Sequence, residues 1–308
     1  MTIQAISRSR RAEPGPTRSM SSTVPHYDGM EALADRYDGF VLDVWGVIHD
    51  GVTLYPGVVN TLERLFEADK KIVMLTNAPR RSAAVAAAMV EMGMPAAYCG
   101  SILSSGEATF LSLQERIDPI YIGRSNRCLH IGPDRDLGLF DGLGWERTDK
   151  LENAGLIVNT GPWKDGETVD DYADLLEHGA NQGVPMICAN PDLEVIRGGR
   201  RLICAGALAV RYEELGGTVR YFGKPKADIY EFCFRTLDGI DKSSIAAVGD
   251  SFRTDLAGAR NAGIDPIFVA AGIHAEELGG FPPDPAKMTA LATQWGVWPT
   301  ASIPSFVW

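Results

Sequence analysis

Gly39-Phe40-Val41-Leu42-Asp43-Val44-Trp45-Gly46-Val47-Ile48 is an apolar run that ends on a carboxylate and turns at a glycine. Four non-polar residues before Asp43 predict a strand over Gly39–Val44, with the Asp43 carboxylate pointing out of the sheet end. Working outward, Val58–Ala68 reads as a helix with Leu62, Leu65 and Phe66 on one face. Lys71–Leu75 reads as a second strand, Arg81–Met92 as a helix and Ser105–Leu113 as a further helical piece. The alternation restarts with strands at Leu129–Ile131, Leu156–Asn159 and Met186–Ala189 and a helix at Val169–Asn181. A Gly/Pro/Arg-rich loop over Asn190–Arg201 leads to the helix Ala205–Leu215. Strand Thr218–Phe222, helix Ala227–Leu237, strand Ile245–Val248, helix Asp255–Ala262 and strand Pro266–Val269 follow. Continuous apolar strands separated by helices indicate an α/β fold with a parallel sheet covered on both faces. The Pro- and Trp-rich tail after Ala270 reads as a surface wrap, and a short amphipathic lead over Met30–Tyr37 precedes the first strand.

With 308 residues the chain can bury a large core and has room for two domains. A net charge of −11 argues against a general nucleic-acid binder, because a polyanion would be repelled. The five cysteines, Cys99, Cys128, Cys188, Cys204 and Cys233, are odd in number and nowhere spaced as CxxC. They read as reduced, buried thiols of a cytoplasmic protein. The most apolar tract, Ala83–Met94, is broken by Glu91, and no run approaches the roughly 18 residues of a membrane span. Residues 1–29, rich in Ser, Arg and Pro up to about Val24, read as a disordered extension without a secretory signal. Met20 is an alternative start.

Asp43, Thr76, Lys224 and Asp250 each fall just past the carboxyl end of an expected strand, the edge where open α/β sheets bind ligands. Taken singly, each has an ordinary explanation: a turn aspartate, a helix cap at Thr76-Asn77, a surface lysine between Gly223 and Pro225. Taken together they suit phosphate chemistry. Thr76 and Asn77 offer a hydroxyl and backbone amides to phosphoryl oxygens. Lys224 brings a compact positive charge to a crowd of negative ones. In Gly249-Asp250-Ser251-Phe252-Arg253-Thr254-Asp255 one carboxylate ends a strand and another starts a helix, and magnesium takes one or two carboxylates plus water and substrate oxygens.

The set Asp43-Val44-Trp45-Gly46-Val47, Leu75-Thr76-Asn77, Gly223-Lys224-Pro225 and Gly249-Asp250…Thr254-Asp255 resembles the haloacid dehalogenase (HAD)-like superfamily. Ile48-His49-Asp50-Gly51, Ala189-Asn190-Pro191-Asp192 and the Gly-Lys-Pro form look like its class IIA branch, the NagD and p-nitrophenylphosphatase group. The likeness runs over roughly residues 38–272. It implies a Rossmann-like core domain at 30–118 and 218–308 with an inserted α/β cap domain at 119–217. Asp43 would match the nucleophile that forms an aspartyl-phosphate, with Thr76, Asn77 and Lys224 holding the phosphoryl group. Mg2+ would bind to Asp43, Asp250 and the backbone carbonyl of Trp45, supported by Asp255. Asn190 and Asp192 of the cap would face a small phosphorylated metabolite, such as a sugar phosphate. The branch also includes homodimers formed through the cap.

Trp45 is the departure. The family's phosphatases carry an aspartate there, which protonates the leaving oxygen and then activates water. An indole N–H can only donate and does not titrate usefully. General acid–base help is typically worth about 100- to 10,000-fold. Three readings follow: a phosphatase whose acid comes from His49, Asp192 or the substrate; one confined to good leaving groups; or a phosphometabolite-binding protein without turnover. The other histidines, His26, His130, His178 and His274, show no metal-ligand spacing.

Overall fold

A computed structural model of the chain describes residues 24–308. Strands β1 (Gly39–Asp43), β2 (Lys71–Thr76) and β3 (Ile102–Ser104) come first, and β4 (Arg127–Ile131), β5 (Glu146–Arg147), β6 (Leu156–Asn159) and β7 (Met186–Cys188) follow. The strands β8 (Glu194–Arg197) and β9 (Arg200–Ile203) precede β10 (Val219–Tyr221). Then β11 (Ile245–Gly249), β12 (Asp265–Val269) and β13 (Ala301–Ile303) end the series.

These strands form two parallel sheets and one antiparallel hairpin, β8–β9. The first sheet has the order β13-β12-β11-β1-β2-β3 and the second β10-β7-β6-β4-β5. In the first, the chain moves from β1 to β2 and β3 on one side, then returns to β11 and beyond on the other. The reversal between β1 and β11 opens a crevice at their carboxyl ends. Leu42 pairs with both Val248 and Met74, so the residues that follow β1 and β11 emerge side by side.

All five residues of β1 are buried, which requires cover on both faces. Side chains alternate across the strand. Phe40 and Leu42 pack with Leu62 and Leu65 of the helix Val58–Glu67 and with Val85 and Met89 of the helix Ser82–Glu91. Val41 faces the other way, into a cluster with Phe110, Leu113, Ile229 and Tyr230. That cluster continues through Tyr121, Leu139 and Phe140 to Cys128, Leu156 and Val158 of the second sheet, so the two units share apolar packing. The second sheet's far face is covered by Leu176, Leu208 and Tyr212.

The structure corrects several expectations. The tail is no surface wrap: Ala301–Ile303 is buried and pairs in parallel with β12 as the sheet's edge. Before it, Asp284 caps the helix Pro285–Trp295 by accepting from the N–H groups of Ala286 (2.9 Å) and Lys287 (3.0 Å). Pro and Trp here mark a helix start and a packing anchor. The expected extension over residues 1–29 lies outside the described residues up to 23, but residues 24–29 are packed. Val24 is buried, and Tyr27 N–H donates to the Ser302 carbonyl at 2.9 Å. The Asn190–Arg201 loop contains most of the β8–β9 hairpin, which Gly198 and Gly199, both at positive φ, turn. The strand before Lys224 pairs with β7, so it extends the second sheet past residue 217. Among the described residues no helix is long and apolar enough to cross a membrane, and all five cysteines are free.

Candidate active site

Asp43 and Asp250 follow the two strands that flank the crevice. One carboxylate oxygen each of Asp43, Asp250 and Asp255 lies within 4.8 Å of the others, and all three residues are buried. Two glycines make this crowding fit. A Cβ at Gly46, which holds φ +85°, would meet the Asp250 carboxylate at 2.1 Å, and one at Gly272 would meet it at 2.0 Å. Asp250 accepts from the Ile273 N–H at 2.8 Å, and Asp43 from the Val44 N–H at 2.7 Å. Burial pushes the Asp43 carboxyl well above the usual carboxylate range, the Asp255 and Asp250 charges add to this, and Lys224 opposes them. Burial and Asp255 likewise push Asp250 up to about 7. A divalent cation is what this donor set fits: three converging hard oxygens that disfavour one another's charge.

Lys224 supplies the one amine. Its Nζ donates to Asp43 Oδ1 at 2.5 Å and to Asp255 Oδ1 at 2.7 Å. Burial alone would lower its pKa, but Asp255, Asp43 and Asp192 outweigh burial and raise it, so it stays charged. Asp255 also accepts from the Ser251 N–H at 3.1 Å through its second oxygen. Its two oxygens therefore brace Lys224 and the Asp250–Ser251 turn. The expectation that four strand ends of one sheet supply the site needs revision here. Asp43, Thr76 and Asp250 leave the first sheet, whereas Lys224 arrives from β10 of the second.

Asn77 ties that crossing down. Its side chain accepts from the Lys224 N–H at 2.8 Å and donates to the Lys224 carbonyl at 3.2 Å and to Asp192 Oδ1 at 2.9 Å. The amide is thus used in holding two units together, and its backbone N–H is what it has left to offer a phosphoryl group. Thr76 Oγ1 accepts from the Ala78 N–H at 3.2 Å. Asn190 Oδ1 accepts from the Asp192 N–H at 3.0 Å, shaping the loop rather than reaching out of it. Burial raises the pKa of Asp192, while Lys224 and Asn77 oppose that rise.

Trp45 is held from both sides. Its Nε1 donates to the Ile196 carbonyl of β8 at 2.8 Å, and its ring meets His49 edge-on with centroids 5.3 Å apart. Gly51, at φ +85°, leaves room for the indole, because a Cβ there would stand 2.4 Å from it. His49 Nδ1 accepts from the Gly51 N–H at 3.0 Å, and burial lowers its pKa to about 4. At neutral pH it has no extra proton to give. Three further anchors carry no signal in the sequence. Arg253 donates to the Pro191 carbonyl at 2.7 Å, and Ser105 Oγ to the carbonyls of Asn77 (2.9 Å) and Ala189. The β8–β9 hairpin is the third. Ser105 follows β3, a strand too short to recognise, so no periodicity pointed to it. Asp43, Trp45, Thr76, Asp192, Lys224 and Asp250 all line one cavity of about 1090 Å³ between the sheets.

Comparison with known proteins agrees with this geometry. The profile of the Haloacid dehalogenase-like hydrolase family matches residues 40–146, and a second HAD-hydrolase-like profile matches residues 221–291. The crystal structure of a hydrolase of the haloacid dehalogenase-like family from Brucella suis 1330 superposes with a TM-score of 0.79 at 36% identity. It covers 91% of this chain and 100% of that one. Phosphoglycolate phosphatase 2 of Arabidopsis thaliana is 24% identical over 80% of this chain and 87% of its own length. An acid sugar phosphatase of Staphylococcus haemolyticus is 31% identical over 41% of this chain, which spans about half (51%) of that protein. The chain belongs to the haloacid dehalogenase-like hydrolase family.

Proposed function

We propose that this chain is a cytoplasmic, magnesium-dependent phosphomonoester hydrolase acting on a small phosphorylated metabolite of the sugar-phosphate kind. The observation that carries the reading is the meeting of the Asp43, Asp250 and Asp255 carboxylates, two of them held by the Lys224 amine, at one cavity. Asp43 attacks phosphorus and takes the phosphoryl group as an aspartyl-phosphate. Lys224 holds the nucleophile in place and neutralises charge gathering on the phosphoryl oxygens. The Thr76 hydroxyl and the Asn77 N–H cradle those oxygens. Mg2+ would be held by Asp43, Asp250 and the Trp45 carbonyl, and it supplies charge neutralisation when bound. Residues 119–221 act as the cap that encloses the alcohol being released, with Asn190 shaping the Asp192 loop. The names of the plant phosphoglycolate phosphatase and the staphylococcal acid sugar phosphatase support a small phosphorylated substrate.

Trp45 removes the usual proton donor, and His49 is neutral and engaged through Nδ1. Asp192 is the remaining protein group suited to the role: a carboxyl with a raised pKa, facing the cavity and steadied by Asn77. A second reading, phosphometabolite binding without turnover, is favoured by one contact. The hydrogen bond from Trp45 to Ile196 gives the indole a structural task in place of a catalytic one. Hydrolysis of p-nitrophenyl phosphate and of sugar phosphates with and without Mg2+ separates the two. Metal-dependent release above an Asp43→Asn control supports the hydrolase. Binding with no release above that control would leave the second reading standing.

A further inference from the structure

Taking the site as that of a phosphomonoester hydrolase, the phosphoryl group sits against Asp43, Lys224 and Thr76. The alcohol must then extend toward the carboxyl edge of the second sheet. Five arginines line the cavity: Arg201 is paired with Glu194 and Arg253 donates to the Pro191 carbonyl, which leaves Arg80, four residues past Thr76, Arg135, which follows β4, and Arg197 in β8. Arg135 lies 4.0 Å from Asp136 and Arg197 lies 3.5 Å from Asp165. Arg80 has no equivalent: among the described residues it forms no ion pair, and its guanidinium donates no hydrogen bond. It is partly buried, and the charges that act on it are those of Asp136, Arg135 and Arg197. Burial lifts the Asp136 carboxyl above the usual range, which weakens the one acid whose charge acts on Arg80.

Converging like charges in a partly buried cleft are costly, and a guanidinium fork matches the paired oxygens of a carboxylate or phosphate. In a chain of net charge −11, such a group without a carboxylate partner faces the part of the cavity that the alcohol must enter. We propose that Arg80, backed by Arg135 and Arg197, binds a second anionic group on the substrate. The ester cleaved here then carries a carboxylate or a further phosphate on its alcohol.

The test compares kcat/KM for 3-phosphoglycerate with that for glycerol 3-phosphate, two esters of one carbon skeleton. A second pair, fructose 1,6-bisphosphate and fructose 6-phosphate, asks whether the added anion is phosphate or carboxylate. Hydrolysis of p-nitrophenyl phosphate reports separately on turnover. The wild type should favour the extra anion in at least one pair by about tenfold or more, chiefly through KM. Arg80→Gln should erase that preference, Arg80→Lys should retain part of it, and the more exposed Arg135→Gln should reduce it a few-fold. Calorimetric binding of the same esters to Asp43→Asn protein should give the same ranking without turnover. The proposal fails if the wild type shows no preference in either pair, if the preference survives Arg80→Gln, or if that variant weakens both members of a pair alike. Absent hydrolysis of every ester, with an Arg80-dependent preference in binding, would overturn the hydrolase reading and leave this subsite in place.

Discussion

In the first sheet β1 ends on Asp43 and β11 is followed at once by Asp250, while β4, β6 and β7 of the second lead to loops carrying Arg135, Thr160 and Asp192. Both sets of strand ends line the same cavity. The first set is nearly dry: Asp43, Thr76, Asp250 and Asp255 are each 7% exposed or less, and the Lys224 that joins them is 3% exposed. The second keeps Thr160 buried at 3% but is wetter at its arginines, with the Arg197 side chain of the adjoining β8 39% and the Arg135 side chain 55% exposed. Buried opposite charges are worth much to each other and punish the loss of a partner, whereas screened ones give way cheaply. The dry edge therefore suits bond-making and the wet edge suits recognition of a variable alcohol.

Asp43→Asn should separate the two edges most sharply. Removing the proposed nucleophile should lower kcat by about 10,000-fold or more while binding through the second edge persists, as steady-state kinetics and calorimetry together would read. Lys224→Met should come next, costing about 3–5 kcal/mol of stability, because it strands Asp43 and Asp255 without their amine. Arg197→Met, on the wet edge, should cost no more than about 1 kcal/mol in the same urea titration.

His49 gives a pH-dependent prediction. Its pKa falls on folding from the ordinary 6.5 to about 4, so between those values the unfolded chain binds more protons. Stability therefore drops as pH falls through that window. His49→Asn keeps an acceptor for the Gly51 N–H and should lose about 3 kcal/mol less than wild type between pH 7 and pH 4. Equal acid slopes for the two proteins would contradict this.

A comparably small effect concerns the seam between the edges. Trp45→Phe removes the bond to Ile196 and should cost about 1 kcal/mol, read as a lowered Tm and faster proteolysis in β8–β9. Trp45→Asp should raise hydrolysis of alkyl phosphates more than of aryl phosphates if a missing proton donor limits the rate. Equal or reduced rates on both would show that the indole's contacts with Gly51, His49 and Ile196 outweigh the acid.

The dry edge was legible in the sequence because its chemistry dictates residue types at strand ends: a carboxylate after Leu42, Thr-Asn after Leu75, Gly-Asp after Val248. The glycines at 46 and 272 belong to the same logic, although it takes the fold to bring both to one carboxylate and make room for it. The second edge was not legible in the same way. β8 and β9 carry Arg197, Gly198, Gly199, Arg200 and Arg201, a composition of loops, and the strands exist because they pair with each other beneath Trp45. Lys224 was identified by its neighbours but assigned to the wrong sheet, since a three-residue strand such as β10 does not announce its partner. The edge strand β13 was hidden for the same reason, with Pro and Trp around it.

Rapid acid quenching during turnover of p-nitrophenyl phosphate, followed by mass spectrometry of the protein, tests the central claim most directly. With an indole at position 45, and Asp192, tied to Asn77, the carboxyl left to activate water, dephosphorylation should be slow and the phosphorylated form should accumulate: a burst of nitrophenol, and a phosphoryl group located on Asp43, both lost without Mg2+ and in Asp43→Asn. Sustained hydrolysis by Asp43→Asn, or turnover with the phosphoryl group on another residue, would contradict the account.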